Sequence, residues 1–275
     1  MKLLLQCCFA HDSARALYGY AVKHLRRRGV RAEFVASLRN MDLDGYDMLV
    51  SHDVLGPEVR ARAPSRCYGG SPASRPEILR LLRHLDVPVM EWSLAEDRQA
   101  VWRLFDRWGV DRLFLKRSGT CGGKGVVAFD PAWLDQLEWD PQNDVFCPEV
   151  NPDDGDLYKG VAFNGSLLVS WVNRRVPLRV GFSGLCTDIK AAYSRPKRRR
   201  LPHSVVSLVK RVSRDLTAQG HGVCSFDFMR NPDGDLTCIE MNSGLVATWW
   251  MAKFITVRWR YARALHDLVR STVPA

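Results

Sequence analysis

Short apolar runs separated by polar turns dominate this chain, with one strongly periodic stretch near its start. Lys2 to Cys7 reads as a strand, Ser13 to Arg28 as an amphipathic helix, and Ala32 to Ala36 and Tyr46 to Ser51 as two further strands. This is the opening of a small open α/β layer. Pro76 to Leu85 has helical spacing and Val87 to Met90 reads as a strand, so a first domain is expected over residues 1–90. A middle block follows over 91–150, and a last one over 151–275 carries a strand hairpin and a terminal helix near Met251 to Ser271. No internal repeat or low-complexity linker separates the blocks, which predicts tightly joined domains.

The hairpin is the segment with the most chemistry. In CSFDFMRNPDGDLTCIEMNSG, Cys224 to Gly244, two apolar strands flank the turn Asn231, Pro232, Asp233, Gly234, where Gly and Asx residues supply the angles a reversal needs. Side chains alternate along Thr237 to Met241, so Glu240 and Asn242 share a side. Asp227 opposes them if Phe226 to Phe228 pairs with that end. Three oxygen donors so arranged suit Mg²⁺, which prefers octahedral oxygen ligation and keeps waters and nucleotide phosphates in its shell. Taken alone, the segment fits equally an exposed hairpin whose acids face water.

Upstream, LFLKRSGTCGGKGVV runs from Leu113 to Val127. A buried-strand run ends in Lys116, a glycine-rich loop carrying Lys124 follows, and an apolar run resumes at Val126. Glycines let backbone amides approach an anion closely, and lysines neutralise phosphate charge. The spacing is not that of a Walker A loop, and by itself the stretch also reads as a flexible hairpin connection.

The order of these features resembles the ATP-grasp superfamily, nearest to the branch of ribosomal-protein S6 glutamate ligase and glutathione synthetase, over roughly residues 86 to 255. The resemblance implies an α/β (α+β) fold in which an N-terminal open α/β layer is followed by two lobes enclosing a nucleotide. It implies that FCPEV, Phe146 to Val150, is the hinge where Cys147, Pro148, Glu149 and Val150 meet adenine. Asp156 would lie near the ribose, and Lys116, Lys124 and Lys159 near phosphate. The metal residues carried over are Asp227, Glu240 and Asn242, with Mg²⁺ as the ion and Mn²⁺ as its alternative. Arg98 stands where many relatives have lysine, keeping the charge but presenting a planar fork. After Asn242 the chain reads SGLVATWW and lacks the proline-containing ending common in the family. Independently of any family, Asn164-Gly165 makes a tight hairpin into Ser166 to Val172.

Composition sharpens this picture. The 275 residues are 46% hydrophobic, enough for one large core or two to three small subdomains. No apolar run approaches the roughly 18 residues needed to span a bilayer, and Met1 to Phe9 lacks a signal-peptide pattern, so a cytoplasmic, non-membrane protein is expected. The eight cysteines are scattered without a CxxC pair, which favours reduced thiols over disulfides or zinc. Much of the net charge of +10 lies in Arg174, Arg175, Arg179 and the run Arg195 to Arg200. Such a run is commonly solvated surface. It leaves nucleic acid open as a partner, although no aromatic platform interleaves it. By the resemblance, Val172 to Lys190 enters the cleft, so Arg174 or Arg175 would hold a carboxylate or acyl phosphate.

The activity implied is that of an ATP-dependent carboxylate–amine ligase, acting on small-molecule or peptide substrates through an acyl phosphate, with Lys116, Arg174 and Arg175 in the reaction. The alternatives are a small-molecule kinase on the same fold and a non-catalytic module for an acidic partner.

Overall fold

The computed structural model describes residues 1–8, 12–70, 73–119, 125–150, 156–173, 201–243 and 248–272. The first sheet is parallel, built from β1 (Lys2–Gln6), β2 (Arg31–Val35), β3 (Met48–Val54) and β4 (Arg66–Gly70) in the order β2-β1-β3-β4. Its central strands are solidly apolar at Leu3 to Leu5 and Met48 to Val50, because a parallel strand in mid-sheet is covered on both faces. One face packs on α1 (Asp12–Arg26) through Leu17, Tyr18 and Ala21, and the other on Leu38, Leu43 and Leu55. The short helix α2 (Pro57–Arg62) joins β3 to β4, and α3 (Arg75–His84) leads out.

Val87 to Met90, expected as a strand, is an extended stretch with a single bridge, Val89 to Cys238. Pro88 has no N–H to offer a ladder, so the stretch only grips the third sheet. Its Pro88 carbonyl accepts from the Cys238 amide at 2.7 Å, and the Met90 amide donates to the Cys238 carbonyl at 3.0 Å.

The middle of the chain forms α4 (Arg98–Trp108) and an antiparallel sheet of β5 (Leu113–Lys116), β6 (Val126–Phe129) and β7 (Val145–Pro148), ordered β6-β5-β7. Asp97 caps the start of α4 by accepting from the Ala100 amide, and Gly109, at φ 60°, stops it. Val101, Leu104 and Phe105 cover one face of the sheet, over Leu113, Leu115, Val127 and Phe129. The opposite face, with Phe114, Ala128 and Cys147, turns toward Ile239 of the third sheet.

That third sheet is antiparallel and comprises β8 (Leu157–Phe163), β9 (Ser166–Asn173), β10 (Cys224–Arg230) and β11 (Leu236–Ser243), ordered β11-β10-β8-β9. Asn164 and Gly165 turn β8 into β9 with φ of 45° and 73°, the two positive angles that a two-residue hairpin of this kind requires. Helix α5 (His203–Ala218), which has no counterpart in the sequence reading, packs Val205, Val209, Val212 and Leu216 on one face of the sheet. The expected terminal helix is two, α6 (Thr248–Lys253) and α7 (Ile255–Thr272), separated at Phe254. Helix α7 and α1 sandwich a core that also takes Val161 and Phe163.

The first and third sheets meet end to end around glycines. A Cβ on Gly70 would stand 2.5 Å from the Ser243 carbonyl and 2.9 Å from the Val54 Cα, both backbone atoms that cannot swing away. Gly19, in contrast, lies on the exposed side of α1 with nothing within 4 Å. Gly70→Ala is therefore expected to destabilise the protein by about 1–3 kcal/mol through overpacking, whereas Gly19→Ala should stabilise it by about 0.5–1 kcal/mol through helix entropy. Urea unfolding of both variants checks the pair. A Gly70→Ala curve superposable on the parent would remove the close junction.

Candidate active site

The strand pairing brings the acids of the hairpin together. Asp227 lies directly opposite Glu240, and Ser225 opposite Asn242. Between these pairs and the rest of the hairpin the register slips at Asp227/Phe228, because β11 holds one extra residue there. The burial pattern shows what the bulge does: Leu236, Cys238, Met241 and Ser243 are buried, while Ile239, Glu240 and Asn242 are half-buried. Uninterrupted alternation would send Cys238 and Glu240 to the same side. With the bulge, Cys238 packs in the α5 core and Glu240 faces the middle sheet.

On the other flank of Asp227, β8 places Lys159 directly opposite. Its Nζ donates to Asp227 Oδ2 in a tight ion pair. Asp227 Oδ1 is buried and accepts no hydrogen bond from the protein. Burial pushes the Asp227 carboxyl above the usual carboxylate range; the Lys159 ammonium pulls it back, and the Glu240 carboxylate pushes it further up.

Lys116 reaches the same place from the middle sheet. Its Nζ donates to the carbonyl of the bulge residue Ile239 at 3.1 Å and contacts Met90 Sδ at 3.2 Å, in a side chain that is 6% exposed. Arg75, which the sequence reading did not single out, comes from the start of α3. Its Nη1 lies 3.6 Å from Glu240 Oε1, and its Nη2 donates to the Arg117 carbonyl at 3.2 Å. No spacing motif marks it, since it approaches the hairpin from over 160 residues away in sequence. The site is thus a cleft between two sheets, with two carboxylates and an amide on one wall and Lys116, Lys159 and Arg75 around them.

Other expected residues stand elsewhere. Arg98 is held by Asp135, with Nε 3.5 Å from Oδ1, by the Asp135 and Leu137 carbonyls, and by the Trp139 ring 5.9 Å away. None of its contacts is with the Lys116–Asp227 group. Cys147 is buried on the cleft-facing side of the middle sheet, where desolvation raises its thiol pKa. Pro148 ends β7, Glu149 pairs with Arg112 at 3.7 Å, and Val150 packs beside Cys147. Asp156 is half-buried immediately before β8. Lys124, Arg174, Arg175 and the arginine run to Arg200 lie outside the described residues.

The donor set suits a hard divalent ion. Among the described residues no group of three His, Cys, Asp or Glu could hold a metal, so such an ion would rest on two carboxylates, the Asn242 amide and non-protein oxygens. The Asp227 Oδ1 without a protein donor is the atom that such an ion would satisfy.

The overall arrangement of these three sheets is shared with solved structures. The RimK-domain ATP-grasp protein from Sphaerobacter thermophilus superposes with a TM-score of 0.62 at 16% identity, covering 97% of this chain and 100% of that one. The chain has the ATP-grasp fold. The D-alanine–D-alanine ligase from Bacillus anthracis aligns with a TM-score of 0.62 at 15% identity, over 98% of this chain and 96% of that chain. For the ATP-grasp ligase PsnB the values are 0.64 and 16%, over 98% of each. No family model matches the sequence, and no curated protein matches it.

The Lys159–Asp227 pair should be energetically coupled even without ligand. Removing Lys159 leaves a buried carboxylate uncompensated, and removing the Asp227 charge leaves a partly buried ammonium. Lys159→Met and Asp227→Asn are each expected to destabilise the fold, and the double variant should lose about 1–3 kcal/mol less than the sum. Denaturant unfolding of the four-member cycle gives the coupling; strict additivity would show that the pair is not formed in solution.

Proposed function

We propose that this chain is an ATP-dependent carboxylate–amine ligase. The observation that carries the reading is the approach of Lys116 from the middle sheet to the Ile239 carbonyl, beside Glu240 and the Lys159–Asp227 pair of the third sheet, in an ATP-grasp cleft. A carboxylate substrate would take the terminal phosphoryl group of ATP, releasing ADP; an amine would then displace phosphate from the acyl phosphate and lose a proton, leaving an amide.

In this reading the residues divide the work. Asp227, Glu240 and Asn242 hold Mg²⁺, which supplies charge neutralisation for the phosphate oxygens when bound. The ATP-grasp ligase PsnB has been solved with Mg and ADP and with AMPPNP and a precursor peptide, which supports the same ligands and a peptide-like substrate here. Lys116 is fixed by the Ile239 carbonyl and the Met90 thioether, so its charge is preorganised toward the cleft instead of being gathered on binding. Lys159 presents the same kind of charge from the opposite wall. The adenine hinge is Cys147 to Val150, with the Glu149–Arg112 pair holding its end, and Asp156 meets the ribose. Lys124 extends the phosphate contacts, and Arg174 or Arg175 holds the carboxylate side. Arg98 contributes charge near the cleft only if it leaves Asp135.

The three sheets support a division into units at 1–90, 91–150 and 151–275. Among the described residues no helix is long and apolar enough to cross a membrane. Among the described residues, Cys8, Cys67, Cys147, Cys224 and Cys238 form no disulfide. Both observations support a cytoplasmic ligase.

Asp227→Ala and Glu240→Ala should each lower Mg-dependent ADP formation on the order of a hundredfold or more while the unfolding transition remains cooperative. The assay is a screen of amino acids and short peptides with ADP release and product mass read together. ADP formation that needs both a carboxylate and an amine supports the ligase; near-parental turnover by either variant would sink the metal assignment. Replacing the inward member of Arg174 and Arg175 by Ala should raise the acceptor KM without changing nucleotide affinity, and unchanged acceptor kinetics for both variants would remove them from the site.

A further inference from the structure

We propose that Arg75 is an oxyanion-binding residue of this cleft that takes the terminal phosphoryl group of the nucleotide, an inference that rests on the ligase reading above. Arg75 is 11% exposed, yet its guanidinium is poorly provided for by the protein. A guanidinium carries five N–H donors. Here one hydrogen bond goes to the Arg117 carbonyl, one charged contact of 3.6 Å goes to Glu240, and the Nε N–H is buried with no acceptor. An ion pair at 3.6 Å is too long to count as a direct hydrogen bond. A largely covered cation whose Nε N–H is buried without an acceptor is costly unless an anion completes it.

The backbone at Arg75 is held at the start of α3. The Ser74 amide donates to Glu77 Oε2 at 2.6 Å, closing the start of α3, and the Arg75 amide donates to Ser118 Oγ at 3.0 Å. The same residue thereby ties α3 to Arg117 and Ser118, where β5 runs toward the glycine-rich stretch.

Position selects the ligand. An oxyanion that reaches Arg75 stands beside Glu240, hence at the metal end of a bound nucleotide. A planar fork suits a phosphoryl group, donating to two of its oxygens at once. ATP carries a phosphoryl group there that ADP lacks.

The test compares Mg-ADP with Mg-AMPPNP by calorimetry on the full chain, using Arg75→Gln and Arg75→Lys. The expected result is a loss of about tenfold or more in AMPPNP affinity for Arg75→Gln, a smaller loss for Arg75→Lys, and less than twofold change for ADP in both. A cooperative urea unfolding transition certifies that a variant is folded; if Arg75→Gln fails that control, Arg75→Lys decides alone. Equal losses for both nucleotides would mean that Arg75 only props Glu240, and unchanged AMPPNP affinity would mean that it meets no phosphoryl group. Either overturns the proposal. An unmodified protein that binds neither nucleotide would instead overturn the ligase reading itself.

Discussion

One extra residue in β11 governs the site. Without the slip at Asp227/Phe228, the alternation that buries Cys238 beneath α5 would carry Glu240 into the same core, and a carboxylate there would be ruinous. The bulge lets a single strand complete a hydrophobic core along one half and a polar wall along the other. It also turns the Ile239 side chain toward the middle sheet and its carbonyl toward Lys116. The two walls of the cleft are therefore registered on the irregularity itself.

The charges in the cleft are in tension with stability. Asp227 is buried beside a like charge, and its neutral form is favoured by burial; Lys159 is what keeps the arrangement tolerable. Arg75 plays a corresponding part for Glu240, at a longer distance. Charges already fixed in the folded protein need no rearrangement when an oppositely charged ligand arrives. Around them the fold compensates with dry cores: one under α4, one under α5 and one between α1 and α7.

Local pattern revealed much of this architecture and little of its assembly. The first three strands, α1 and α3 were legible within a few residues because their apolar positions recur at the right period, and the Asn164-Gly165 and Asn231–Gly234 turns because Gly and Asn take angles other residues avoid. β4 was not, since RCYGG has two glycines and no alternation. Helix α5 carries apolar residues at 205, 209, 212 and 216, a helical spacing that its valines and serines disguise as low helix propensity. In the site, Asp227, Glu240 and Asn242 could be read from one hairpin. The attachment of Arg98 to Asp135 and of Arg75 to Glu240 could not, because each depends on how separate elements dock, and no residue nearby in sequence records it.

The bond from Lys116 to the Ile239 carbonyl joins residues 123 positions apart. Closing so long a loop costs entropy that nearby hairpins do not face, so β5–β6, β8–β9 and β10–β11 can form well before the two sheets are brought together. The cleft is accordingly a late product of folding. During synthesis, the emerging chain has Lys116 long before Asp227 and Glu240, and the two walls of the cleft meet only once both sheets are made.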